Sequence, residues 1–260
     1  MHREPTERHG LLYQLYEGRL QRSLRSETLP HHIAMIIDGN RRWAKQLGLA
    51  TAAHGHRAGA ARMREFLTWC DDLGIQMVTL YLLSADNLGN RAAAELSELT
   101  AIIADLARDL SRVRDWQIHH IGSDAGLPEG LVDALTEASA TTASKRGMHI
   151  NLAVGYGGRK EITDAMRSIV AHYVSEGRSL DELADAISPE LIAEHLYTGG
   201  LPDPDLVIRT SGEQRLSDFM LWQAAHSEFY FVEALGPDLR KVDFLRALRD
   251  YVGRHRRFGK

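Results

Sequence analysis

The feature that most constrains this chain is Ile33-Ala34-Met35-Ile36-Ile37, an unbroken apolar run cut off by Asp38-Gly39-Asn40. A run with no polar alternation suits a strand buried on both faces, which is the condition of a strand inside a parallel sheet covered by helices. The same strand–loop–helix grammar repeats. Arg41 to Gln46 reads as a helix with Asn40 as its N-cap, and Ala58 to Leu73 as a helix stopped by Gly74. Strands are predicted at Met77–Leu83, Gln117–Ile121, Met148–Val154, Leu206–Arg209 and Glu228–Val232, with helices from Ala92 to Leu110, Leu131 to Lys145 and Arg159 to Val174 between them. This alternation predicts an α/β fold: a single domain with a mainly parallel sheet flanked by helices.

The boundaries follow from what lies outside the pattern. Residues 31–260 form the expected domain, and residues 1–30 a helical arm closed by Pro30. Within the arm, Leu11 to Leu20 carries apolar residues at helical spacing, which suits packing on the body or resting on a membrane surface. No apolar run approaches the roughly 18 residues of a membrane span, and the arm lacks the apolar segment of a secretory signal. A single cysteine, Cys70, excludes an internal disulfide and fits a cytoplasmic location.

The formal net charge of −4 hides an uneven distribution. From Arg240 to Lys260 there are eight Lys or Arg against two acids, so an acidic body carries a basic tail. Such a tail suits either an anionic partner or a solvated terminal helix. Nucleic acid is not expected, because aromatic residues are not interleaved with the basic ones as a base-stacking groove requires.

In open α/β sheets, ligands bind beyond the carboxyl ends of the strands. The residues expected there are Asp38-Gly39-Asn40-Arg41-Arg42, Ser84-Ala85-Asp86-Asn87, Gly155-Tyr156-Gly157-Gly158-Arg159 and Arg209-Thr210-Ser211-Gly212-Glu213. Arginine forks bind phosphate oxygens bidentately, and two arginine clusters, Arg41/Arg42 and Arg209/Arg215, suit two phosphate groups, or two diphosphates, in one cleft. Asp38 among them either pairs with an arginine as structure or holds a cation that bridges it to phosphate. Mg²⁺ is the natural bridge, since it binds through one or two carboxylates plus substrate phosphates. No P-loop, dinucleotide fingerprint, Gly-x-Ser-x-Gly elbow or His-Glu-x-x-His is present. His31/His32 and His54/His56 read as incidental pairs. Asp71-Asp72 lacks the third aspartate of the trans-type prenyl synthases and reads as a helix end.

Taken together, the segments 32–44 (HIAMIIDGNRRWA), 55–60 (GHRAGA), 81–87 (YLLSADN), 151–159 (NLAVGYGGR), 204–217 (PDLVIRTSGEQRLS) and 219–228 (FMLWQAAHSE) resemble the cis-prenyltransferases, the undecaprenyl diphosphate synthase family. The likeness runs from His31 to Lys260. It implies a homodimeric enzyme that condenses isopentenyl diphosphate with an allylic diphosphate in the presence of Mg²⁺. By motif, it implies Asp38 and Glu228 as metal ligands, and Gly39, Asn40, Arg41, Arg42 and Trp43 as the allylic diphosphate loop. His56 lies near the diphosphates, while Arg209, Arg215, Leu216 and Ser217 form the isopentenyl diphosphate clamp. Arg257 and Gly259 match a motif that reaches the site across the dimer.

The segment Ser84, Ala85, Asp86, Asn87, Leu88 matches the loop beside the reacting carbons. Asn87 matches the residue named as proton acceptor, although a neutral amide is a poor base and the departing diphosphate or a water suits that role better. Two departures concern the allylic site. Asn90 stands where the family has an arginine, with Arg91 and Glu95 each one residue late, and Ala52 stands where another arginine is expected. Leu82 stands where long-chain members are small, and Leu88 replaces a tryptophan. Both features resemble the short-chain actinobacterial members that make Z,E-farnesyl diphosphate. Branched coupling of dimethylallyl units, a longer polyprenyl product and a non-catalytic partner subunit are the alternatives.

Overall fold

The computed structural model describes residues 10–258. The Arg257 side chain and Gly259, expected to reach a partner's site, lie outside what is described. Six strands form one sheet: β1 (His32–Ile36), β2 (Met77–Ser84), β3 (Gln117–Ile121), β4 (His149–Tyr156), β5 (Leu206–Arg209) and β6 (Glu228–Phe231). Their order is β3-β4-β2-β1-β5-β6, and every pairing is parallel. β2, β4 and β3 lie on one side of β1, with β3 at the edge, and β5 and β6 lie on the other. The topology therefore reverses at β1, and the crevice at its carboxyl end is where such folds bind ligands.

The helices are α1 (Leu11–Leu24), α2 (Asn40–Gln46), α3 (Ala52–Asp72), α4 (Ala85–Asn90), α5 (Ala93–Val113), α6 (Glu129–Thr142), α7 (Gly158–Ser175), α8 (Leu180–Ala186), α9 (Pro189–Glu194) and α10 (Lys241–Phe258). All five residues of β1 are buried, as the apolar run requires. Ile33 and Met35 join the larger core with α3, α5, α6 and α10, while Ala34 and Ile36 face a second cluster with Tyr156, Phe219 and Met220. Phe66 of α3 meets Phe244 of α10 edge to face at 5.0 Å. Truncating Phe66, fully buried, would cost about 3–5 kcal/mol through lost contacts and a cavity. The arm docks on the body through buried Leu20 and Leu24 and an ion pair of 3.4 Å between Glu17 and Lys241.

Several boundaries differ from those predicted. α3 starts at Ala52, not Ala58, so His54 and His56 are helical. Its start carries no side-chain cap, and Gly55 inside it reads as a breaker until its neighbour is known. Asn40 is the first helical residue of α2 and Gly39 is its cap. Gly155 and Tyr156 continue β4 instead of forming a loop. The short helices α4, α8 and α9 are too brief to show a period. α3 ends at Asp72, as expected, and Arg114 hydrogen-bonds Asp71 and Asp72 at its end. His32 is buried and bonds Thr79 Oγ1 and the Pro202 carbonyl, both at 2.8 Å, so it serves the core.

Candidate active site

Just past the end of β1 the chain turns sharply. Gly39 has φ 94°, and a Cβ there would stand 2.7 Å from Leu235 Cδ2, so only glycine fits. The turn is locked to the β5 side by Thr210, whose hydroxyl accepts from the Asp38 N–H at 2.8 Å and donates to the Asp38 carbonyl at 2.9 Å. The Asp38 carboxylate accepts from the Gly39 N–H at 2.6 Å through Oδ1 and from Arg209 Nη2 at 2.7 Å through Oδ2. Burial raises its pKa, but the hydrogen bonds from Arg209 and Gly39 and the charges of Arg209 and Arg42 outweigh that and hold it below the usual carboxylate range. Asp38 is therefore an anion at neutral pH.

Arg209 ends β5 in register with Ile36, and its side chain is only 5% exposed. Its Nη1 donates to the Ser217 hydroxyl at 2.7 Å and to the Arg215 carbonyl. Arg215 itself points outward and pairs with Glu213 at 2.5 Å, while Arg42 lies 3.6 Å from the same carboxylate. One acid thus holds two arginines at the rim.

Asp38, Arg42, Arg209 and Ser217 line a cavity of about 280 Å³, whereas Arg215 and Glu213 are not among its lining residues. Its polar lining comprises Asp38, Gly39, Asn40, Arg41, Arg42 and His56 together with Ser84, Asn87, Arg91, Arg209 and Ser217. Its depth is apolar, walled by Met63 of α3, Leu82 and Leu83 of β2, and Leu99, Ile103 and Leu106 of α5. A charged mouth over an apolar pocket suits an amphiphile with an anionic head and a hydrocarbon tail.

α3 reaches this wall because two glycines let it approach the start of α2. A Cβ on Gly55 would stand 2.0 Å from the Asn40 carbonyl oxygen, and one on Gly59 would stand 2.5 Å from Asn40 Oδ1. That close approach brings His56 into the cavity, where its Nε2 lies 3.4 Å from Arg91 Nη1 and 3.5 Å from Glu95 Oε1. Desolvation and the Arg91 charge lower the His56 pKa, leaving it a neutral ring. Arg91 faces inward and pairs with Glu95 at 2.5 Å one helical turn on. The one-residue displacement seen in the sequence therefore affects both members together and leaves the pair intact.

The remaining predicted residues divide. Ser84 caps α4 by accepting from the Asn87 N–H at 3.1 Å, and both line the cavity. Leu88 packs on the larger core and Leu216 on the second cluster. Ala85 lies against Gly157, and Asp86 sits in the first turn of α4 outside the cavity wall. Trp43 turns away and donates its indole N–H to Asp238 at 2.8 Å. Glu228 is not brought to Asp38 within one chain. It opens β6 level with Leu206 and Ile33, about 16 Å along the strand direction from Asp38, and pairs with Arg254 at 2.9 Å. Arg159, expected just past the carboxyl end of β4, is 89% exposed at side-chain level and faces solvent. Asp218, which no sequence motif singles out, accepts from the Arg159 N–H at 3.1 Å.

The family model described as "Putative undecaprenyl diphosphate synthase" matches residues 36–259. The chain belongs to this family of prenyltransferases. It is 53% identical over 249 residues to isoprenyl transferase 1 of Streptomyces avermitilis, covering 96% of each chain. It is 52% identical over 248 residues to the (2Z,6E)-farnesyl diphosphate synthase of Thermobifida fusca, covering 95% of this chain and 97% of that one. Among solved structures, lavandulyl diphosphate synthase from Lavandula x intermedia, crystallised with dimethylallyl diphosphate, superposes with a TM-score of 0.79 at 39% identity, covering 86% of this chain and 95% of that one. The motif resemblance and the α/β parallel-sheet expectation are both borne out. Among the described residues, no helix is long and apolar enough to cross a membrane.

Proposed function

We propose that this prenyltransferase condenses isopentenyl diphosphate with a short allylic diphosphate to give a Z,E-farnesyl-type diphosphate. The observation that carries the reading is one cavity, lined by charged and polar groups at its mouth and apolar at its depth, with Asp38 ionised beside the arginines. Relatives of about half identity carry farnesyl and short-chain names, in line with a short product.

Mg²⁺ fits this donor set. Asp38 offers one carboxylate with lone pairs beyond those used by Arg209 and Gly39, which suits a cation that brings waters and diphosphate oxygens with it. Bound with the substrate, Mg²⁺ neutralises charge on the departing diphosphate. Gly39 to Arg42, neutral His56 and Arg91 hold the allylic diphosphate in this reading, and Arg209, Arg215 and Ser217 hold isopentenyl diphosphate. The allylic carbon–oxygen bond breaks, a carbon–carbon bond forms to the isopentenyl alkene, and a proton leaves to diphosphate or water. Asn87 orients that acceptor through its amide. Leu82, backed by Ile103 and Leu106, stops growth of the chain.

Glu228 joins such a metal site only from a second copy of the chain, so the reading includes a homodimer in which Arg257 and Gly259 also cross. Edge strand β6, with Phe229, Tyr230 and Phe231 half-buried, supports that association. A cytoplasmic enzyme resting peripherally on membrane is supported by exposed Leu12 and Leu15 beside Arg19 and Arg22 on α1. The lavandulyl structure favours one second reading, branched coupling of two dimethylallyl units. Transfer of label from isopentenyl diphosphate into an extractable prenyl product, with and without chelator, tests the proposal; turnover of dimethylallyl diphosphate alone would replace it by the second reading.

A further inference from the structure

In the Gly155-Tyr-Gly-Gly-Arg segment Arg159 faces solvent, yet the glycines are tightly engaged. A Cβ on Gly157 would stand 2.6 Å from Asp218 Oδ2, and one on Gly158 would stand 2.8 Å from Leu221 Cγ. The φ of Gly157, −161°, is open to any residue, so space and not conformation demands glycine there. What fills that space is the loop that carries Ser217. Asp218 accepts from the Arg159 N–H at 3.1 Å through Oδ1, and its carbonyl accepts from the Gly158 N–H at 2.7 Å. α7 has no side-chain cap of its own, so Asp218 supplies it from 59 residues away.

On the other side of the loop, Ser217 accepts two hydrogen bonds within the clamp. Its hydroxyl accepts from Arg209 at 2.7 Å, and its carbonyl accepts from Tyr81 Oη at 3.3 Å. The chain between these anchors is held in the left-handed region at Ser217 (φ 51°), Asp218 (φ 63°) and Met220 (φ 47°). Non-glycine residues there cost energy and persist only where surroundings fix them. Buried Phe219, stacked on Tyr81 at 4.5 Å, completes the fixing.

We propose that Asp218 is a positioning residue for diphosphate binding: by capping α7 across the Gly157-Gly158 seat, it holds the strained turn that aims Ser217 and Arg209 into the cavity. This rests on the clamp reading above. Asp218→Ala should raise KM for isopentenyl diphosphate about tenfold, the size expected for a lost charge-assisted hydrogen bond, with kcat and the KM for geranyl diphosphate within about threefold of wild type. Asp218→Asn keeps an acceptor for the Arg159 N–H and should restore most of the loss. Because Asp218 acts through Ser217, the Ser217→Ala/Asp218→Ala double variant should be little worse than the poorer single one. Gly157→Ala, which pushes on the carboxylate without removing it, should raise the same KM and serves if Asp218→Ala does not fold.

A folded Asp218→Ala or Gly157→Ala enzyme with wild-type KM, or fully additive losses in the double variant, overturns the inference. Calorimetric titration of wild-type protein with inorganic diphosphate separates the two levels. A wild type that neither binds diphosphate nor turns over sinks the functional reading itself. A wild type that does both while the Asp218 variants match it sinks only this inference.

Discussion

The Asp38 carboxylate and the Arg209 guanidinium meet at 2.7 Å across the ends of two neighbouring parallel strands, one partly open to the cavity and the other almost wholly buried. The pair serves two ends at once. It neutralises a buried cation, and it presents an ionised carboxylate where the topology reverses. Arg209 also donates through Nη1 to Ser217 and the Arg215 carbonyl. Arg209→Lys should therefore fail, because a point charge cannot replace a fork with several fixed donors. We expect kcat/KM to fall about a hundredfold or more, as when positioned charge stabilisation is removed, with the protein still folded by circular dichroism.

Asp38→Asn keeps the shape and the Gly39 contact but removes the charge. Turnover should fall at least about a hundredfold, and added Mg²⁺ should not restore it. The pH dependence has a defined sign. The folded pKa of Asp38 lies below its unfolded value, so its contribution to stability is present above about pH 4 and is lost as pH falls through the folded value. Urea unfolding of wild type and Asp38→Asn between neutral and acid pH should show the two curves converging at the acid end.

Arg91, and not Asn90, should carry the role of the displaced loop arginine. Arg91→Ala is expected to raise KM for the allylic diphosphate about tenfold, whereas Asn90→Ala should change it little. Steady-state kinetics of the two variants, with geranyl diphosphate varied at saturating isopentenyl diphosphate, make the comparison.

His32 gives the sharpest stability prediction. Burial drops its pKa to about 4, so the folded ring stays neutral where the unfolded ring already takes a proton. Its contribution is fully present above about pH 6.5 and declines toward pH 4, by about 3 kcal/mol at most. His32→Gln should lower stability at pH 7.5 through the lost bonds to Thr79 and Pro202, and should flatten the loss between pH 7 and 5. Chemical denaturation at the two pH values measures both effects.

Most of the sheet was legible in the sequence because buried strands announce themselves as apolar runs, and β1 does so without ambiguity. The cavity mouth was legible because it is assembled from the residues that follow those strands. What stayed hidden depends on neighbours distant in sequence. Gly55 looks like a helix breaker until Asn40 is seen against it, and this concealed the first turns of α3. Asp218 looks like a loop acid until α7 is seen beneath it. Glu228 is held by its motif position alone; only the strand register shows it at the far end of β6 from Asp38. The Arg91–Glu95 pair is visible in spacing, but its turn into the cavity is not.

The apolar depth of the cavity sets the last prediction. Leu82→Ala removes bulk from its wall and should shift product toward longer chains, read by mass spectrometry after dephosphorylation. The same assay on the wild-type enzyme is the most direct test of the whole account. Given isopentenyl diphosphate, Mg²⁺ and a panel of dimethylallyl, geranyl and farnesyl diphosphates, it should yield mainly Z,E-farnesyl diphosphate from geranyl diphosphate. A polyprenyl-length product, or no incorporation of isopentenyl diphosphate with any primer, would contradict it.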